Sequence, residues 1–186
     1  VVCAGDTVSY SITPVAGATK YLWSVPTPAT ILGSQDSSTV SVLWAAGASG
    51  NICVAASNAC DTSQSSCIPV QVNTVPGLPD IAGDSSLCAG ATGVYSMPVL
   101  ANATGYNWTV PPGGTILPGQ DSTNISVSWG AAPGGNVCVV ATNGCGTGPQ
   151  DCFPVTVFAV PVANAGADNA VCAVSDTLTA ILSVPG

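Results

Sequence analysis

Two stretches decide how this chain folds: Asn51–Val72, NICVAASNACDTSQSSCIPVQV, and Asn136–Val157, NVCVVATNGCGTGPQDCFPVTV. Each spaces three cysteines seven residues apart, Cys53, Cys60 and Cys67 and then Cys138, Cys145 and Cys152, with the second set 85 residues after the first. On either side of the central cysteine the apolar residues alternate, Ile52, Val54 and Ala56 before it and Ile68, Val70 and Val72 after it. Period-two alternation is the mark of a strand with one buried face, so the stretch predicts a hairpin turning near Cys60. With those apolar residues inward, Cys53 and Cys67 point outward and face each other across the hairpin, at the separation a disulfide requires. Cys53–Cys67 and Cys138–Cys152 are therefore the expected bridges of the two copies.

The repetition extends well beyond the hairpins. Cys3 recurs as Cys88, Tyr10 as Tyr95, Tyr21 as Tyr106, Trp23 as Trp108 and Trp44 as Trp129, all at the same offset without a gap. A third copy opens at VCAVSDTLTAILSVPG, where Cys172 takes the place of Cys88. The predicted organisation is one repeat over 1–76 with its first strand missing, a second over 77–161, and the start of a third over 162–186. Pro-, Gly- and Ala-rich joints, VPGLPDIAGDSS and VPVANAGADNA, separate the copies. Within a copy, TVSYSI, YLWSV and TVSVLW alternate like the hairpin strands, with turn residues between them and no amphipathic helical stripe. Five or more short antiparallel strands per copy predict an all-β chain of tandem, disulfide-bonded immunoglobulin-like β-sandwiches, with Trp23 and Trp108 as the large core residues of the third strand.

Pairing the remaining cysteines within each copy gives, by elimination, Cys3–Cys60 and Cys88–Cys145, with Cys172 pairing outside the fragment. Four cysteines allow three connectivities. The hairpin tip and the opening segment of a sandwich also lie at opposite ends in simple topologies, so the other pairings stay open.

Composition narrows the function. Across 186 residues there are nine acidic side chains, one basic one (Lys20) and no histidine, for a net charge of −8. Nothing in that set neutralises phosphates or docks on an anionic bilayer, which argues against nucleic acid and membrane surfaces as partners. No apolar run approaches the length of a spanning helix. A general base would have to be an aspartate, and the aspartates are scattered through turns, where Asp bonds nearby backbone groups; only Asp36 and Asp121 recur between the complete copies. Catalysis is not expected, and neither is a cofactor. The cysteine spacing lacks the tight knuckle of a zinc site, and calcium at the joints, near Asp80, Asp84 and Asp168, is a minor alternative. Disulfides at this density imply an oxidising, extracellular setting. Trp44 and Trp129 close a strand beside a Gly/Ala-rich turn, as end plugs of the sandwich or as surface aromatics for a sugar. Asn102, Asn107 and Asn124 stand in N-x-S/T sequons.

From Cys88, CAGATGVYSM, ATGYNWTVPPGGTILPGQDSTNISVSWG and GGNVCVVATNGCG resemble the PKD-like repeats of giant secreted proteins of Bacteroidetes. The resemblance covers both complete copies. It implies tandem β-sandwiches, type IX secretion, and roles in surface adhesion or gliding motility. It favours the first cysteine pairing with the N-x-C-G cysteine of the same copy. It also makes Thr7, Ser122 and Thr177 candidate O-glycosylation positions. The first copy departs from the pattern at Asp61, where the family has glycine, and at PTPAT. The function expected is a non-catalytic segment of a long cell-surface protein, forming a stiff rod or filament. Its partners would be neighbouring repeats, identical chains or surface glycans. The alternative is a carbohydrate-binding accessory module of a secreted hydrolase.

Overall fold

The computed structural model describes residues 1–130, 133–164 and 181–183. The opening of the third copy, with Asp168, Cys172, Asp176 and Thr177, lies outside the described residues. All described elements are strands, and among the described residues no helix is long and apolar enough to cross a membrane.

The first copy contains β1 (Val2–Cys3), β2 (Thr7–Ser11), β3 (Lys20–Ser24), β4 (Thr30–Leu32), β5 (Thr39–Leu43), β6 (Gly50–Ser57), β7 (Ser66–Val70) and β8 (Val72–Asn73). They form two facing three-stranded sheets, β2-β5-β4 and β3-β6-β7, with β1 pairing parallel to β8. Tyr21, Trp23, Val40, Val42, Trp44, Ile52 and Val54 meet between the sheets. These are the residues of inward parity, so alternation along each strand builds the core.

The second copy contains β9 (Ala82–Gly83), β10 (Ser86–Cys88), β11 (Thr92–Ser96), β12 (Gly105–Thr109), β13 (Gly114–Ile116), β14 (Asn124–Trp129), β15 (Gly134–Asn143) and β16 (Gly146–Phe158). Its sheets are four-stranded, β13-β14-β11-β9 and β10-β16-β15-β12. Trp108, Trp129, Tyr95, Ile125, Val127, Val137 and Val139 are among its most buried side chains. A last pair, β17 (Val162–Asn164) and β18 (Ile181–Ser183), is antiparallel.

By contacts the chain divides into two compact units. The first holds Val1–Gly77 together with Leu100–Gly105 and Ala141–Pro149, and the second holds Leu78–Val99, Tyr106–Val140 and Gln150–Gly186. Two loop segments of the second sequence copy thus belong to the first unit.

One inward residue of the hairpin reading departs from expectation. Ile68 is 53 % exposed. It borders a small apolar recess with Tyr10, Ile12, Trp23, Ile52 and Val54, so its parity is inward. In the second copy Phe153 occupies the equivalent place and packs against Tyr95, with ring centroids 6.1 Å apart.

Candidate functional site

The chemistry-bearing groups of this chain are its cysteines. Cys53 and Cys67 face each other in the register of β6 and β7 and are bonded, with Cα atoms 4.1 Å apart. Cys138 and Cys152 are bonded in the same way across β15 and β16. Each bridge links adjacent strands from outside the core and closes a 14-residue interval, a loop whose cross-link contributes about 3 kcal/mol in the chain-entropy model.

The expected Cys3–Cys60 and Cys88–Cys145 bridges are corrected by the structure. Cys3 is bonded to Cys145, 142 residues away, with Cα atoms 5.5 Å apart. Cys60 and Cys88 are exposed thiols. Strand direction supplies the reason. Cys3 lies beside Asn73 because β1 pairs parallel with β8. Cys60 sits in the turn before β7. Passing from the start of β7 to Asn73 at strand rise covers roughly 23 Å, several times the reach of a disulfide. Elimination within one copy failed because it treated the copy as a closed set of thiols.

Both cysteines of the long bridge lie in the first unit, and Asn143 organises their surroundings. Its Oδ1 accepts the Cys145 amide at 2.8 Å, an Asx-type turn. Its Nδ2 donates to the carbonyls of Asn102 at 2.9 Å and Thr74 at 2.7 Å. Pro76 is fully buried nearby, and a Cβ on Gly148 would come within 2.4 Å of its carbonyl oxygen, so only glycine fits there. At Cys3, the Asp6 carboxylate accepts the cysteine's own amide at 2.8 Å and fixes the turn that presents the sulfur. The recurring N-x-C was visible in the sequence, but the asparagine's clamping role was not read from it.

The other expected site residues fall elsewhere. Trp44 and Trp129 are 0 % and 1 % exposed, which corrects the surface-aromatic expectation. Each packs edge-on against a core tyrosine, Tyr10 at 6.1 Å and Tyr95 at 6.4 Å between centroids, so neither presents a face to a sugar. Thr7, Asn102, Asn107 and Asn124 are exposed and Ser122 is half-buried. Asn102 takes a left-handed backbone conformation, with φ of 64°. The Ser122 hydroxyl and the Asn124 side-chain oxygen are hydrogen-bonded at 3.2 Å. Several aspartates serve backbone amides, Asp84 that of Val94 and Asp151 that of Ile81. Among the described residues no three His, Cys, Asp or Glu side chains gather as a metal site would require.

No curated protein sequence matches the chain. Among solved structures, the I-band fragment I67–I69 of titin superposes with a TM-score of 0.53 at 13 % identity, over 86 % of this chain and 62 % of that one. The eight N-terminal Ig domains of Down syndrome cell adhesion molecule give 0.48 at 18 % identity, over 87 % and 23 %. The D00–D0 domain of intimin gives 0.45 at 14 % identity, over 81 % and 93 %. The chain therefore spans less than two thirds of the titin and adhesion-molecule fragments. The likeness to titin shows an Ig-like fold. PKD-like and Ig-like domains are generally non-catalytic modules, typical of extracellular, adhesin-like proteins. The model of the PKD-like domain matches twice, over residues 1–70 and 74–155, and the chain belongs to that family as two tandem domains.

Proposed function

We propose that this chain is a non-catalytic structural segment of a long extracellular surface protein, a stiff rod or filament used in adhesion or motility. The Cys3–Cys145 bond carries this reading. It closes 142 residues into one loop, so tension applied outside it cannot draw out the enclosed strands. In the chain-entropy model such a closure contributes about 5 kcal/mol. The outward bridges at Cys53–Cys67 and Cys138–Cys152 add cross-links inside each copy. With one basic residue in the chain, proteases that cut after lysine or arginine find a single site. Disulfides at this density fit an oxidising exterior.

The test is electron microscopy of intact source cells labelled with antibody raised against this segment. Label along thin surface fibres is the expected result. Label confined to a soluble secreted hydrolase would overturn the structural reading in favour of an accessory module.

A further inference from the structure

We propose that the Cys3–Cys145 bond is one rung of a series, and that Cys88 and Cys60 are the opposite halves of the next rungs. Each would pair with an adjoining PKD-like repeat of the same polypeptide. The sequence itself opens such a repeat at Val171.

Cys88 is presented as Cys3 is. Cys3 pairs in register with Asn73, and Cys88 with Phe158, the same position one repeat later. Ala4 donates to the Asn73 carbonyl and Ala89 to the Phe158 carbonyl, both at 2.8 Å. Gly5 donates to the Trp44 carbonyl and Gly90 to that of Trp129, both at 2.7 Å. The turn closes through Asp6 N to Cys3 O in one copy and Ala91 N to Cys88 O in the other, both at 3.0 Å. The two sulfurs therefore leave equivalent backbones. Cys3 is half-buried in its bond, whereas Cys88 is exposed. Beside Cys88, Val160 is 63 % exposed and Pro161 is exposed too, although its counterpart Pro76 is fully buried.

Cys60 presents the other half. Asn58 accepts the Cys60 amide at 2.9 Å and donates to the Gly17 carbonyl at 3.0 Å, as Asn143 does for Cys145 and Asn102. Around it, residues 15–18, 56–58 and 60–63 line an open recess of about 380 Å³. The equivalent positions of the second copy, within Leu100–Gly105 and Ala141–Pro149, belong to the first unit and hold Cys145 in its bond. An open recess with an unpaired cysteine thus matches a site that is filled and bonded one repeat later. Asp61 and Ser63 stand where the second copy has Gly146 and Gly148. A Val–Pro plug entering here would seat further out than Pro76 does, because Ser63 carries the Cβ that Gly148 lacks.

Rung formation needs a two-electron oxidant, and a small-molecule disulfide such as oxidised glutathione serves. The Cys88 thiolate attacks one of its sulfurs and releases one glutathione thiol. The partner cysteine's thiolate then attacks the Cys88 sulfur of the mixed disulfide, releasing the second thiol. Two protein thiols become one disulfide, and one glutathione disulfide becomes two thiols.

The test is peptic peptide mapping by mass spectrometry without reduction, after alkylation at low pH. The 186-residue chain should give a Cys3–Cys145 cross-linked peptide, with Cys60 and Cys88 alkylated. A chain in which one further copy of residues 77–161 follows Pro161, oxidised with glutathione disulfide, should link Cys88 to the added counterpart of Cys145. Cys88→Ser should remove that link and leave Cys3–Cys145 intact. The added copy's own Cys138–Cys152-type link reports that it has folded. Cys3–Cys60 or Cys88–Cys145 peptides would overturn the proposal. So would a folded added copy that leaves Cys88 open to alkylation. Disulfide dimers joining Cys88 of one chain to Cys60 of another would overturn the assignment to a repeat of the same polypeptide.

Discussion

The two copies place a tryptophan and a tyrosine edge to face at the same point of the sandwich, yet they satisfy those side chains differently. In the second copy the Trp129 indole N–H donates to the Tyr95 hydroxyl at 3.2 Å, and that hydroxyl donates onward to the Asp84 carbonyl at 3.1 Å. In the first copy the Trp44 indole N–H is also turned toward the Tyr10 hydroxyl, near enough to oppose the rise that burial gives that phenol's pKa, but it is buried without reaching hydrogen-bond geometry. One sequence difference stands beside the paired rings. Position 8 is valine, whereas its counterpart is Gly93, where a Cβ would come within 2.8 Å of the Tyr95 hydroxyl and 3.2 Å of the Trp129 nitrogen. The absent side chain leaves room for hydroxyl and indole to close to hydrogen-bond distance. A fold repeated at constant register can therefore carry an unequal polar interior, and the cost falls on the copy with the larger residue.

Replacing the tryptophans offers the strongest test of that difference. Trp129→Ala should destabilise its copy by roughly 3–5 kcal/mol, as deletion of a large buried aromatic does. Trp44→Ala should cost about 1–2 kcal/mol less, because it also removes a buried donor that had no partner. Hydrogen exchange resolved by peptide reads each copy separately, and equal losses would break the comparison. The outward bridges should behave alike. Cys53→Ala with Cys67→Ala, and Cys138→Ala with Cys152→Ala, should each cost about 3 kcal/mol, since the loops are of equal length. A large inequality would show that sheet context, rather than loop closure, sets their contribution.

How much of this was readable from the sequence depended on how local each feature is. The strands, the inward parity of Trp23 and Trp108 and the cross-hairpin cysteine pair follow from period-two alternation, which fixes a side chain's face without knowledge of the rest of the fold. The partner of Cys3 was not readable in that way. Its identity depends on which end of the sandwich β1 reaches, and on a second copy supplying the thiol found there. Ile68 and Trp44 show a related gap. Alternation turned both inward, but whether an inward residue is covered depends on the facing sheet. Ile68 stays 53 % exposed, whereas Tyr10 packs on Trp44. Gly93 stood in plain view as one of two departures, with Val94 for Ser9, between the matching strands TVSYS and TGVYS. Only the tyrosine and indole beside it give that glycine a meaning.

Restoring the bulkier residue in the second copy probes the same point with a smaller expected effect. Gly93→Val should lower stability by roughly 1–3 kcal/mol, as overpacking of a filled site does. Combined with Tyr95→Phe, which removes the crowded hydroxyl, the loss should be less than the sum of the two single changes. Strict additivity would mean that valine acts on the backbone alone.

The weakest handle is alkaline pH. Burial raises the Tyr95 phenol above its ordinary range. The Trp129 N–H opposes that rise and the nearby Asp84 carboxylate adds to it. A raised phenol favours the neutral form in the folded chain. Its contribution to stability is therefore complete below the ordinary tyrosine range near pH 10 and is lost as pH climbs through the folded-state value. Tyr95→Phe should flatten the alkaline fall in stability of the second copy, read by hydrogen exchange at rising pH. If that fall were unchanged by the substitution, burial of the Tyr95 phenol would not be what protects the interior of the second copy from base.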